Sequence, residues 1–128
     1  MITADQLLAH AVGDYILQSD WMVKEKHRNS VAAGLHCLFY LLPFALLTQS
    51  MLALAAVALS HFFVDRFRMA RYLIWLKNRP WPGARPWSEC RETGYPPDTP
   101  PWLSGWLFII VDNVIHIVLN GAAIQYFG

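Results

Sequence analysis

Met51–Asp65, MLALAAVALSHFFVD, is an apolar run interrupted near its end by His61 and closed by Asp65. Residues four apart on a helix lie one turn apart on the same face, so His61 and Asp65 are neighbours there. A titratable pair in an otherwise oily helix is costly, and it persists only where something compensates it. The same spacing recurs in His10 with Asp14 and in Asp112 with His116. The chain reads as an apolar helical scaffold that brings three His/Asp pairs together.

Composition supports that reading. Of 128 residues, hydrophobic types make up 55% and charged types 15%, with six Trp. This is too apolar for an ordinary soluble domain and suits a single integral membrane domain spanning residues 1–128. A net charge of +1 and the lack of a basic stripe interleaved with aromatics exclude a nucleic-acid binder. Cys37 and Cys90 form no CxxC motif and read as reduced and incidental. The N-terminus has no basic n-region and no small-residue cleavage site, so no cleaved signal peptide is expected.

Working outward, Met51 to about Lys77 reads as one long helix with an amphipathic, basic end, DRFRMARYLIWLK. Gln49 and Ser50 form a polar turn before it. Val31 to Thr48 is uncharged and about long enough to span, with Pro43 as an expected kink and His36 as its one titratable group. Ser30 is a good N-cap for that helix. Upstream, Thr3 to Gln18 reads as a shorter helix opened by a Thr3/Gln6 capping box. It is a tilted span, a re-entrant helix or an interfacial one, and Gly13 allows a neighbouring backbone to approach closely. Asp20 is placed to cap a short helix from Trp21. Asn78 to Pro101 holds seven of the eight prolines, with Trp81 and Trp87, and reads as an ordered surface loop. Trp102 to Phe127 is a third clear span, with Asp112, His116 and Asn120 on one face. The expected fold is all-α: a membrane bundle of about four helices, three clear spans plus the short N-terminal one.

The loops orient this bundle. Every Lys and Arg lies in Lys24–Arg28 or Arg66–Arg91, so the positive-inside rule puts both segments, including the Pro/Trp-rich loop, on the cytosolic side. A hairpin turning at Gln49–Ser50 sets His36 level with Phe63, between His61 and Asp65. At about 1.5 Å per residue, His61 and Asp112 each lie roughly 15 Å from a helix end, near the bilayer middle.

Four histidines and three aspartates converging in an apolar bundle suggest a metal site. The expected ligands are His10, Asp14, His36, His61, Asp65, Asp112 and His116. Imidazole and carboxylate suit zinc best, with iron or manganese as alternatives. Seven candidates exceed one tetrahedral zinc, so either two ions bind or some residues support the ligands. For one pair alone, a buried hydrogen bond locking two helices is the better reading. Three pairs plus His36 tip the balance toward a metal, and a proton or ion relay takes most of the remainder. Gln18, Asp20 and Asn120 are expected in supporting roles, and Asp20 is better read as a cap. Arg66, Arg68 and Arg71 read as a solvated topogenic face or, functionally, as a phosphate or lipid-headgroup cradle. There is no GxSxG, P-loop or GxGxxG.

The string His10-Ala-Val-Gly-Asp14-Tyr-Ile-Leu-Gln18-Ser-Asp20-Trp21, with Lys26, His36 and His61-Phe-Phe-Val-Asp65, resembles a family of small bacterial and phage inner-membrane proteins, domain of unknown function 3307. The resemblance covers nearly the whole chain, and HxxGDxxLQxD carries it. It implies a location in the bacterial inner membrane and no particular activity; the Pro/Trp-rich linker lies outside the pattern. The His/Asp spacing is also loosely similar to that of membrane-bound metal-dependent hydrolases.

Two functions follow. In the first, the buried site holds a divalent metal and hydrolyses a membrane-associated ester or phosphate substrate, with an uncoordinated carboxylate as general base. In the second, the protein is a non-enzymatic membrane module, a proton or ion pathway or an assembly partner, whose His–Asp pairs titrate or lock helices. The expected partners are the lipid bilayer and a second copy of the chain, because a small bundle scarcely shields such a site from lipid.

Overall fold

The computed structural model describes residues 1–128 and is all-helical, with seven α-helices, one π-helical turn and no strand. The helices are α1 (Ala4–Ala11), α2 (Asp20–Glu25), α3 (Ser30–Ala45), α4 (Met51–Phe67), α5 (Ala70–Asn78), α6 (Trp87–Cys90) and α7 (Pro101–Phe127). The chain divides into two compact units. One comprises Met1–Phe67 with His116–Gly128, and the other Arg68–Ile115.

In the first unit, Thr3 and Gln6 form the expected capping box at the start of α1. The chain then widens into a π-helical turn over Val12–Ile16, and Leu17 N–H donates to Val12 O at 3.0 Å. Ser19, rather than Asp20, caps α2, and Asn29, rather than Ser30, caps α3. In each case the capping side chain lies one residue upstream, and the expected cap becomes the first helical residue. Pro43 lies in the last turn of α3, which stops at Ala45 instead of Thr48. Small residues let the helices approach closely: Ala32 and Ala33 of α3 and Ala53 of α4 are fully buried. Tyr40, Phe44, Val57, Ala9 and Ala123 form the apolar core next to the Gln49–Ser50 turn. Ser50 Oγ donates to the carbonyl of Phe127, tying that turn to the chain's end.

The expected helix from Met51 to Lys77 is broken. Arg68 adopts φ 50°, a left-handed conformation no helix can propagate, and α4 ends at Phe67. This leaves α3 at 16 and α4 at 17 residues. α7, at 27 residues, is the one helix long and apolar enough to cross a membrane, in place of the three expected.

In the second unit the proline-rich segment is ordered against α5. Trp75 Nε1 donates to Arg85 O at 3.1 Å, and Tyr72 stacks on Trp87 with ring centres 4.8 Å apart. Gly94, at φ 84°, approaches α5 so closely that a Cβ there would lie 2.2 Å from Arg71 O.

Candidate metal centre

The candidate centre lies wholly within the first unit. The π-helical turn supplies Asp14. A π-turn is uncommon and concentrates at functional sites because it re-aims one side chain without ending the helix. Gly13 makes this turn compatible with α3: a Cβ at that position would lie 2.5 Å from Tyr40 Cδ2. The close approach expected at Gly13 is therefore made by a ring rather than by backbone.

α3 supplies His36, and α4 supplies His61 and Asp65, one helical turn apart. The hairpin register works as the numbering implies. His36 Nε2 lies 2.9 Å from His61 Nε2 and 3.2 Å from Asp65 Oδ2. Asp14 Oδ1 closes the group, 3.1 Å from His36 Nε2 and 3.4 Å from His61 Nε2, and His61 Nε2 is 3.1 Å from Asp65 Oδ2. All four side chains are buried, and they have the donor set for a metal ion. The Nδ1 atoms of His36 and His61 are buried without a hydrogen-bond partner, so contacts at Nε2 orient these rings.

The remaining oxygen of each carboxylate faces another histidine. Asp14 Oδ2 is 3.4 Å from His10 Nδ1, and Asp65 Oδ1 is 3.3 Å from His116 Nε2. His10 and His116 thus hold the carboxylates from behind instead of joining the four converging atoms. Asn120 Nδ2 donates to Tyr40 Oη at 2.6 Å, and Tyr40 Oη is 2.7 Å from His10 Nδ1. The Tyr40 ring stacks on His61 at 3.6 Å between centres, fixing its plane.

Lys26, just past α2, reaches this group. Its Nζ is 2.8 Å from Asp65 Oδ2 and 3.5 Å from His36 Nε2, with the side chain 18% exposed. Composition gives no hint of this, because a lysine within a charged run reads as solvated. Tyr40 was legible in principle: it stands four residues after His36 and four before Phe44, on one helical face.

Asp112 belongs to the second unit and is half-buried. Gln18 donates to the Asp14 carbonyl at 2.7 Å, bracing the π-turn. Asp20 pairs with Lys24 at 2.7 Å in the open and touches no part of the centre. Each of the three arginines bonds a backbone carbonyl within its own unit. Arg66 bonds Ser30 Oγ and, at 2.8 Å, His27 O in the first unit. In the second unit Arg68 bonds Glu92 O at 2.7 Å and Arg71 bonds Arg91 O at 3.1 Å. Cys37 and Cys90 are free and buried, and burial pushes the Cys90 thiol above its ordinary value.

The centre is also not midway along its helices. Asp65 lies in the last turn of α4, and His36 less than two turns into α3, at the end of the pair where Lys26 and the basic segments lie. No curated protein and no solved structure matches the chain. A family model described as "Protein of unknown function (DUF3307)" matches residues 2–126, and the chain belongs to that family.

Proposed function

We propose that this protein is a membrane-embedded metalloprotein that hydrolyses an ester or phosphate linkage on a substrate met at the membrane surface. One observation carries the reading: two imidazole nitrogens and two carboxylate oxygens converge within 4.8 Å of one another, the nitrogens lying 2.9–3.4 Å from each other and from both oxygens. A tetrahedral ion with bonds of ~2.0–2.1 Å separates its ligands by about 3.3–3.4 Å, close to that spacing. Hydrogen bonding alone serves the group poorly. Each Nε2 carries at most one proton, yet each faces another nitrogen and two carboxylates. Two buried carboxylates carry two negative charges against one lysine, and a divalent cation would match the carboxylates outright. Two His with two Asp favours zinc, with iron and manganese next.

Apolar side chains facing outward support the membrane setting. Leu38 and Leu42 on α3 and Leu46 just past it, Leu52, Leu59 and Phe63 on α4, and Ile110, Val114 and Val118 on α7 are all exposed. Water is a poor solvent for such faces and lipid a good one. With the basic segments cytosolic, the centre opens toward the cytosolic leaflet of what the sequence suggests is a bacterial inner membrane. A second copy of the chain would cover part of the outward apolar surface.

A cation held there would have to take a fifth ligand to polarise water or the scissile group, which is the chemistry it would supply. Asp14 and Asp65 hold its charge, His10 and His116 fix the carboxylates, and Tyr40 fixes the His61 ring. Lys26 is the residue of the centre closest to solvent and faces the incoming substrate. The non-enzymatic alternative, a cation-free proton or ion pathway, draws on the same lysine, whose ammonium already neutralises Asp65. The test is hydrolysis of p-nitrophenyl phosphate and p-nitrophenyl acetate by detergent-purified protein. The proposal expects turnover with zinc, iron or manganese, none after chelation, and none in His61→Ala. Turnover that survives chelation, or none with any of the three metals, rejects it.

A further inference from the structure

We infer that α5 lies along the membrane surface and that its bare face docks on anionic lipid. The inference rests on the membrane setting proposed above and is independent of the metal reading. Ala70 and Ile74 are fully buried on one side of α5. Gly94 closes against that side, where a Cβ would lie 2.8 Å from Ile74 Cβ. Met69, just before α5, and Tyr72, Leu73 and Leu76 follow the i, i+3, i+4, i+7 spacing of one helical face, and each is 41–59% exposed. At about 100° per residue, this stripe lies opposite Ala70 and Ile74. A surface helix ordinarily turns its apolar stripe to the core. Here Ala70 and Ile74 make the packing, and the stripe faces out.

Charge names the kind of lipid. By the same periodicity Lys77 and Arg79 fall at the two edges of the stripe. Neither pairs with a carboxylate: the Lys77 ammonium lies 5.5 Å from the Tyr95 ring centre, and the Arg79 guanidinium 5.0 Å from that of Trp75. From Arg68 to Arg91, six Lys and Arg residues are set against one acid, Glu89. Apolar side chains with cations at their edges suit a helix that enters the boundary layer while its charges meet lipid phosphates. A second copy of the chain would bring the same positive face to this one, and like charges repel.

α7 gives the depth. Its 27 residues run about 40 Å against about 30 Å of hydrocarbon, so its ends reach the headgroups. Exposed Trp102 and Trp106 mark its first end as interfacial. The Arg68 guanidinium lies 5.3 Å from the ring centre of Phe108, about 10 Å along α7. α5 therefore starts close to where hydrocarbon gives way to headgroups.

The experiment places an environment-sensitive fluorophore at Leu73→Cys in the full chain, in nanodiscs of mixed phosphatidylglycerol and phosphatidylcholine. Native Cys37 and Cys90 are buried, and labelled wild type reports their background. One lipid at a time carries a spin label near the top of its acyl chain, and iodide is the aqueous quencher. Phosphatidylglycerol is expected to quench at least roughly fivefold more efficiently, the effect of one surface cation near an anionic leaflet. Lys77→Gln with Arg79→Gln, both exposed, brings the two lipids toward equal quenching, and high salt does the same. Equal quenching before those substitutions, or a preference that survives them in full, overturns the inference. Quenching by iodide alone, or by neither quencher as a covering second copy would give, also overturns it. The same fluorophore at Leu38→Cys on α3 separates the failures. Lipid quenching there but not at Leu73 leaves the membrane setting standing, and none at either site removes both. Leu76→Cys, on the next turn of the stripe, gives the reading if Leu73→Cys does not fold.

Discussion

At the scale of single residues, the contact between His36 and His61 at 2.9 Å, nitrogen to nitrogen, organises the centre. It costs free energy unless a proton or a cation lies between them. His61→Ala is expected to abolish cation binding while leaving helicity unchanged by circular dichroism, because the apolar core around Phe44 and Val57 still holds the helices together. His116→Ala should be milder. It removes the group behind Asp65 and should weaken the cation by about 10- to 100-fold, measured by competition with a chelator of known affinity. Gly13→Ala probes the packing rather than the ligands. Its Cβ would overlap the Tyr40 ring, and Tyr40 has no space to retreat. The expected loss is about 1–3 kcal/mol of stability, read as a shift in thermal unfolding.

At the scale of elements, some features were legible from spacing and some were not. The His61–Asp65 face and its register with His36 follow from helical periodicity and from the short turn between α3 and α4. The π-turn at Val12–Ile16 leaves no periodic signal, because one widened turn shifts only the residues after it. The break at Arg68 was equally hidden, since arginine is a good helix former and nothing local demands φ 50°. The helix ends moved with these breaks, which is why the expected spans shortened. The outward face of α3 gives a test of its surroundings. Leu38 is 63% exposed. In water, Leu38→Asp should change stability by less than about 0.5 kcal/mol. In lipid, the same change should cost roughly 2.5–3.5 kcal/mol of insertion and lower the membrane-fraction yield, measured by fractionation and immunoblot. The lipid outcome is expected.

At the scale of the whole molecule, the proposed membrane setting would give apolar outward faces and clustered ionisable groups one cause. In hydrocarbon the outside can stay apolar, and the few ionisable groups gather within. The sequence marked seven such groups, and four of them, Asp14, His36, His61 and Asp65, share a single centre. His10 and His116 lie one contact further out, and Asp112 lies in the other unit. Spacing along one helix shows which residues share a face; it does not rank which atoms come closest, because that depends on how helices rotate against each other. The most direct measurement is elemental analysis by mass spectrometry of the full chain, purified in detergent without added metal and again after loading. One equivalent of a divalent ion per chain, lost on chelation and absent from His61→Ala, is the predicted result. A folded chain that holds no ion under either condition would contradict it.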